Sequence, residues 1–311
     1  MTNKRRLPLL AAASVLAGSL ILSGCSNPTA APGSSGTTDG STLTVSSANF
    51  VESEIIGNLY AEALKAKGYT VETKFNIGTR EAYIPALSDG SIDLIPDYTG
   101  NLLLFLDKNA DVSTPASILN GLPAALLAKN LSALTPAAAE DKDAVVVTRA
   151  TADKWNLKSI GDLTAHNSEL KVAGPPEFKE RPVGLPGLKT NYGVVPSKFV
   201  PIADGGGPAT VKALLDGTVD AANIFTTSTD IPANDLVVLE DPKNNFPAQQ
   251  VIPVSGKGKL DPKAIETIDA VSAKLSTAEL IKLNEAVSGE SKTEPKAAAV
   301  DWLTEQGLLG K

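Results

Sequence analysis

The sequence predicts an α/β protein built as two doubly wound lobes joined by a two-crossing hinge, and three observations predict it. Short apolar strands and amphipathic helices open the folded region in the order β-α-β-α-β, which is the order of a parallel sheet covered by helices. The segment ALSDGSIDLIPDYT, starting at Ala86, returns in echo as ALLDGTVDAANIFT, starting at Ala213, 127 residues later. Each copy runs from a helical stretch through Asp-Gly into a short strand, and each strand ends in an aromatic followed by Thr (Tyr98-Thr99 and Phe225-Thr226). Further apolar strands are placed to carry the chain from one lobe to the other and back. Two like modules, each holding a ring and a hydroxyl at a strand end, imply two lobes facing one ligand.

The elements follow in order. Thr42–Ser47 alternates as a strand, and Ile55, Ile56, Leu59, Tyr60, Ala63 and Leu64 then fall on one helical face, with Gly68 suited to the stop. Tyr69–Phe75 alternates again, a short helix covers Arg80–Leu87, and Ile92–Ile95 reads as a buried strand. A longer helix spans Ser117–Leu131. Ala144–Thr148 (AVVVT) is expected as the first crossing. Strands at Leu170–Ala173, Phe199–Ile202 and Val219–Ile224 build the second lobe, with a helix at Pro208–Leu215 after Gly205-Gly206-Gly207. Leu236–Leu239 and Val251–Val254 are expected as the return crossing, and three helices between Pro262 and Gln306 close the chain. Lobe 1 is therefore expected at residues 42–143 plus 250–311, and lobe 2 at residues 144–249.

The N-terminus reads as a processing signal. Lys4, Arg5 and Arg6 precede the apolar run Leu7–Leu22, which is short for a membrane span. Leu22-Ser23-Gly24-Cys25 is similar to the bacterial lipobox, in which the Cys becomes the lipidated first residue. Residues 1–24 are thus expected to be a lipoprotein signal peptide and Cys25 the lipidation site. Cys25 is the only cysteine, so no disulfide can form within the chain. Residues 25–41, rich in Ser, Thr, Gly, Pro and Ala, form an expected flexible tether. Loss of the signal leaves 25 basic against 35 acidic residues, a net charge of −10. An acidic chain without a Lys/Arg cluster is a poor nucleic-acid binder.

In doubly wound sheets, ligands lie beyond the carboxyl ends of the strands. That rule brings Phe50–Ser53, Gly78–Glu81 and Asp97–Gly100 to one rim. The chain after Cys25 holds three arginines, Arg80, Arg149 and Arg181. Arg80 at the rim offers a bidentate fork to a carboxylate, or a scaffold pair with a neighbouring acid. Tyr83 and Tyr98 either stack on a ligand or pack within lobe 1. Thr79 is a helix cap or a hydroxyl donor, and Thr99, Thr226 and Thr227 have the same two readings. Asn49 and Glu52 open the first helix, where Glu52 either faces the ligand or compensates the helix dipole. Phe225 and Phe178 are the ring candidates of lobe 2.

Enzyme chemistry has little to stand on. His166 is the sole histidine and sits in the polar loop Thr164–Ser168. The sequence has no Ser/His/Asp set in plausible position, no Cys/His metal cluster and no phosphate loop. No metal or cofactor is expected.

Several ordered segments carry a resemblance over essentially the whole folded region. They are Asn49–Ser53, GTREAYIPALSDGSIDLIPDYTGNLL (Gly78–Leu103), AGPPEFKERPVGLPGLKTNYG (Ala173–Gly193), LLDGTVDAANIFTTS (Leu214–Ser228) and DLVVLEDPKNNFP (Asp235–Pro247). With them the chain resembles the substrate-binding proteins of osmoprotectant ABC importers, the glycine betaine/choline/carnitine group. The resemblance implies a type II periplasmic-binding-protein fold, delivery of ligand to a permease with its ATPase subunit and, in a lipidated form, anchoring on the extracytoplasmic face of the membrane; the chain is expected to be a monomer and not an enzyme. It also implies an aromatic box for a quaternary ammonium group, with cation–π attraction in place of hydrogen bonds. The lobe 2 strand end carries Phe225-Thr226-Thr227 where a tyrosine-rich box would use Tyr, so a non-quaternary organic solute is the alternative occupant. A ligand-sensing lipoprotein is the alternative role.

Overall fold

The computed structural model describes residues 42–309, so the expected signal peptide, Cys25 and the tether to residue 41 lie outside the described residues. Two five-stranded sheets organise them. The strands are β1 (Leu43–Ser46), β2 (Val71–Lys74), β3 (Leu94–Tyr98), β4 (Leu131–Ala133), β5 (Asp143–Thr148), β6 (Lys171–Gly174), β7 (Lys198–Pro201), β8 (Ala221–Phe225), β9 (Leu236–Val238) and β10 (Val251–Gly256). The first sheet has the order β2-β1-β3-β10-β4 and the second β7-β6-β8-β5-β9.

The β-α-β-α-β opening does give parallel pairing, β1 with β2 and with β3. The sheets are mixed rather than wholly parallel, however. β10 runs antiparallel between β3 and β4, and β5 runs antiparallel between β8 and β9. The reason is topological. β5 and β10 are the first strands the chain lays down after passing between sheets, so they enter from the opposite end to the strands linked by helices.

The first helix, Val51–Ala66, buries Ile55, Ile56, Leu59, Tyr60 and Leu64 completely. That stripe packs against β1 and the C-terminal helices Pro262–Lys274, Thr277–Ser288 and Pro295–Glu305 in one core cluster. Each large side chain so buried contributes about 1.5–3 kcal/mol. Asp261 and Ser276 cap two of these helices, accepting from the amides of Ala264 and Glu279. A second core, with Val145, Val147, Val172, Phe178 and Phe246, fills the other lobe.

The sequence placed a helix through Leu131. The helix spans Pro115–Leu127, and Leu131–Ala133 is an edge strand on β10. Leu236–Val238, expected within the return crossing, pairs with β5 inside the second sheet, and the chain regains the first sheet only at Val251. The connecting segments run side by side: the Asp141 amide donates to the Gln249 carbonyl at 3.1 Å and the Val251 amide to the Ala139 carbonyl at 2.9 Å. Gly100 lies against this pair, where a Cβ would stand 2.6 Å from the Ala248 carbonyl oxygen. Among the described residues no helix is long and apolar enough to cross a membrane.

Candidate ligand-binding cleft

The two halves of the sequence echo meet across the cleft. β3 ends at Tyr98 and β8 at Phe225, and an antiparallel strand starts opposite each end, Val251 facing Tyr98 and Asp143 facing Phe225. Phe50, the residue before the first helix, stands between the rings, with centroids 6.1 Å from Tyr98 and 5.5 Å from Phe225. The loop after β7 closes over Phe50 at Gly205, where φ is +64° and a Cβ would lie 2.9 Å from the Phe50 Cβ. Only a residue without a side chain permits that approach in that conformation.

A cavity of about 280 Å³ lies between these elements and takes walls from both lobes. Of the residues singled out by sequence, Asn49, Thr79, Arg80, Tyr83, Tyr98, Phe178 and Phe225 line it. Glu52, Thr99, Thr226 and Thr227 do not; their side chains bond elsewhere. Thr99 Oγ1 turns to the crossing strand, donating to the Ala248 carbonyl at 3.3 Å and accepting from the Gln250 amide at 3.1 Å. Thr226 Oγ1 accepts from the Lys142 amide at 2.9 Å. Glu52 is a junction behind the wall, taking the Tyr98 hydroxyl at 2.5 Å, the Thr227 hydroxyl at 2.5 Å and Asn284 Nδ2 at 2.6 Å.

Arg80 is both scaffold and wall. It opens the helix Arg80–Asp89, is buried, and places Nε 3.1 Å and Nη2 2.5 Å from Asp97 Oδ1. Three residues on, and so on the same helical face, Tyr83 donates its hydroxyl to Asp97 Oδ2 at 2.8 Å. Burial opposes the Arg80 charge, but Asp97, with smaller contributions from Tyr83 and Asp143, more than offsets it and the guanidinium is held firmly protonated. Thr79 caps nothing with its side chain, and its hydroxyl donates to the Glu81 carboxylate.

Burial drives the phenols of Tyr83 and Tyr98 upward in pKa, and the Glu52 carboxyl beside Tyr98 adds to the effect. Both hydroxyls are spent on internal acceptors. What these residues offer the cavity is ring surface.

The sequence rule missed Asp141, Asp143, Asn101 and Glu177, all on the wall. Asp143 accepts from Asn101 of the first lobe at 2.7 Å and from Asn223 of the second at 3.1 Å. Asp141 accepts the Thr227 amide at 3.0 Å. Burial, then the neighbouring Glu52, pushes the Asp141 carboxyl well up, and burial raises Glu52 as well. Arg181 of the second lobe reaches Glu81 of the first at 3.3 Å and Glu177 at 3.5 Å. Arg149 pairs with Asp235 on the exposed surface and takes no part in the cavity wall. His166 stacks flat on Trp155, centroids 4.0 Å apart.

A family model for the substrate-binding domain of ABC-type glycine betaine transport systems matches residues 41–305. The chain belongs to this family. Its members are solute-binding components of ABC importers, working outside the cytoplasm with permease subunits, and are not enzymes. Similar proteins include the glycine betaine-binding protein YehZ of Escherichia coli, 29% identical over 272 residues covering 82% of this chain and 88% of that protein. The carnitine transport binding protein OpuCC of Listeria monocytogenes is 26% identical over 306 residues, 96% of each chain. Among solved structures, a glycine betaine/carnitine/choline ABC transporter protein superposes with TM-score 0.67 at 24% identity, covering 86% of this chain and 100% of that one. Lactococcal OpuAC, closed on glycine betaine, gives TM-score 0.62 at 18% identity, covering 86% and 97%. These structures share the fold, that of type II periplasmic binding proteins.

Proposed function

We propose that this substrate-binding protein captures a small quaternary ammonium osmoprotectant, of the glycine betaine, choline or carnitine class, and hands it to the permease of an ABC importer. One observation carries the reading: five rings, Phe50, Tyr83, Tyr98, Phe178 and Phe225, line a single small cavity, and both phenol hydroxyls there are bonded inward. A trimethylammonium group neither donates nor accepts conventional hydrogen bonds, so ring faces are the surface that replaces its water. The cavity volume, near the lower end of the usual range of about 300–1,000 Å³ for small-molecule sites, suits such a compact solute.

In this reading the lobes correspond to residues 42–143 plus 250–311 and 144–249, with the paired crossing segments as the hinge. Ligand settles first on Tyr98, Tyr83 and Thr79, and the second lobe closes with Phe225 and Phe178. Closure is favoured only by the contacts the ligand gains in the closed form. Cys25 would hold the protein, a monomer, on the outer face of the membrane through its lipid.

Calorimetry with glycine betaine, choline, carnitine and proline betaine tests the reading. Binding of at least one is expected. Binding of none, with a non-quaternary solute bound instead, would sink the osmoprotectant assignment and leave the fold untouched. Mass spectrometry of the processed protein is expected to find Cys25 as its first residue and lipid-modified; an unmodified Cys25 would refute the anchor.

A further inference from the structure

The charges on the cavity wall do not balance. Asp141, Asp143 and Glu177 stand on it with two guanidiniums, Arg80 and Arg181. Neither guanidinium is free. Arg80 is held by Asp97 at 2.5 and 3.1 Å, with Asp143 also close enough to favour its charge. Arg181 is shared between Glu81 at 3.3 Å and Glu177 at 3.5 Å. With Asp97 and Glu81, which hold the guanidiniums from outside the wall, two cations face five carboxyls, so that acids remain in excess around the cavity even with a proton on Asp141. No lysine lines the cavity; Lys142, between the two aspartates in sequence, is not on its wall. An outer cavity continues past Arg181, and there Lys108 and Arg181 are outnumbered by Glu81, Glu177 and Glu180.

Resting on the quaternary-ammonium reading above, we propose that the cleft selects a net cation, a quaternary ammonium with a neutral hydroxyl end as in choline, over a zwitterion with a carboxylate as in glycine betaine. The ammonium end would meet the same rings in either case. The other end decides. A carboxylate would have to draw a guanidinium from a carboxylate that already holds it, or lie beside Asp141 and Asp143 uncompensated, whereas a hydroxyl can donate to either aspartate. In a cavity shielded from water, such repulsion is screened far less than at the surface.

Calorimetry of the purified full chain with choline, glycine betaine and 3,3-dimethylbutan-1-ol, the uncharged isostere of choline, separates the outcomes. We expect choline to bind at least about tenfold more tightly than glycine betaine, which corresponds to 1.4 kcal/mol, and the isostere to bind far more weakly than either. Asp143→Asn is expected to narrow the choline to glycine betaine ratio; the wild-type comparison stands alone where that variant does not fold. Glycine betaine binding as tightly as choline, or more so, overturns the charge selection and leaves the quaternary-ammonium reading standing. The isostere binding as well as choline means that the site reads shape, and overturns the selection too. Failure of both quaternary ligands beside a bound non-quaternary solute overturns both readings.

Discussion

Replacing Asp141 by Asn should make the unliganded protein more stable at neutral pH, and the gain should vanish in acid. Asp141 and Glu52 are buried side by side, at 4% and 6% exposure. Among the described residues neither forms an ion pair; their partners are the hydroxyls of Thr226, Thr227 and Tyr98, the Asn284 amide and the Thr227 backbone. Burial raises both carboxyls, and the Glu52 charge raises Asp141 further. The sign then follows. A carboxyl whose folded pKa lies above its unfolded value, ordinarily about 4, contributes its full stability below that value and loses it as pH rises through the folded pKa. Stability from this pair is therefore highest in mild acid and declines toward pH 8. An Asn keeps the acceptor oxygen for the Thr227 amide and turns an N–H toward Glu52. Exchanging a buried carboxylate that lacks a cation for a neutral group of the same shape relieves a desolvation penalty of about 1–3 kcal/mol. For a chain of this size that is roughly 2–6 °C in melting temperature. Calorimetric melts of both proteins at pH 4.5, 6, 7 and 8 would read it. A difference that does not change with pH, or an Asn variant that melts lower at pH 8, would refute the reasoning.

Three further perturbations separate scaffold from wall. Tyr98→Phe keeps the ring but strips a bond from Glu52, so about 1–2 kcal/mol of stability should go while affinity for a bound cation changes only a few-fold; Tyr98→Ala should cost tenfold or more in affinity, measured by titration beside a melt. Arg80→Ala leaves Asp97 buried without its cation and should destabilise the fold by about 3–5 kcal/mol in denaturant titrations. A mild effect there would mean that Asp97 is compensated otherwise. Gly205→Ala, which drives a Cβ to 2.9 Å from Phe50 at φ +64°, should weaken ligand binding about tenfold and enlarge the radius of gyration of the liganded form in solution scattering.

The sequence made the strand ends legible because the echo is local. Asp-Gly, a short apolar strand, an aromatic and a Thr lie within one stretch, and their copies place Tyr98 and Phe225 at corresponding ends of β3 and β8. The wall aspartates were not legible from the same rule. Ligands gather beyond the carboxyl ends of parallel strands, but β5 runs antiparallel and brings its amino end, Asp143, to the cleft. Strand direction after a crossing depends on the whole topology, so no window around AEDKDA could reveal it. Arg80 shows a different limit. Its rim position followed from the helix start, yet its pairing with Asp97, 17 residues on, depends on how helix and strand pack. The helix expected to run to Leu131 stops at Leu127, and the edge strand Leu131–Ala133 escapes the pattern because three residues carry no period of their own.

The bonds that join the lobes are graded, and the gradient sets how the cleft can open. Beside the crossing segments, Thr227 from the end of the second sheet donates to Glu52 of the first lobe, and Asn284 from a C-terminal helix reaches the same carboxyl, all three being buried. At the mouth, Arg181 meets Glu81 at 3.3 Å with the Glu81 side chain half exposed, a pair of the kind worth about 0–1 kcal/mol. Parting Glu52 from Thr227 would strand buried polar groups at about 1–3 kcal/mol each. Parting Arg181 from Glu81 returns both to water at little cost. Opening should therefore begin at the Arg181 edge and rotate about the Glu52 junction, with the Phe50–Phe225 contact separating as the arc widens. The same junction holds the Tyr98 ring by its hydroxyl, so that ring should keep its place while the second lobe brings Phe225 toward it or takes it away.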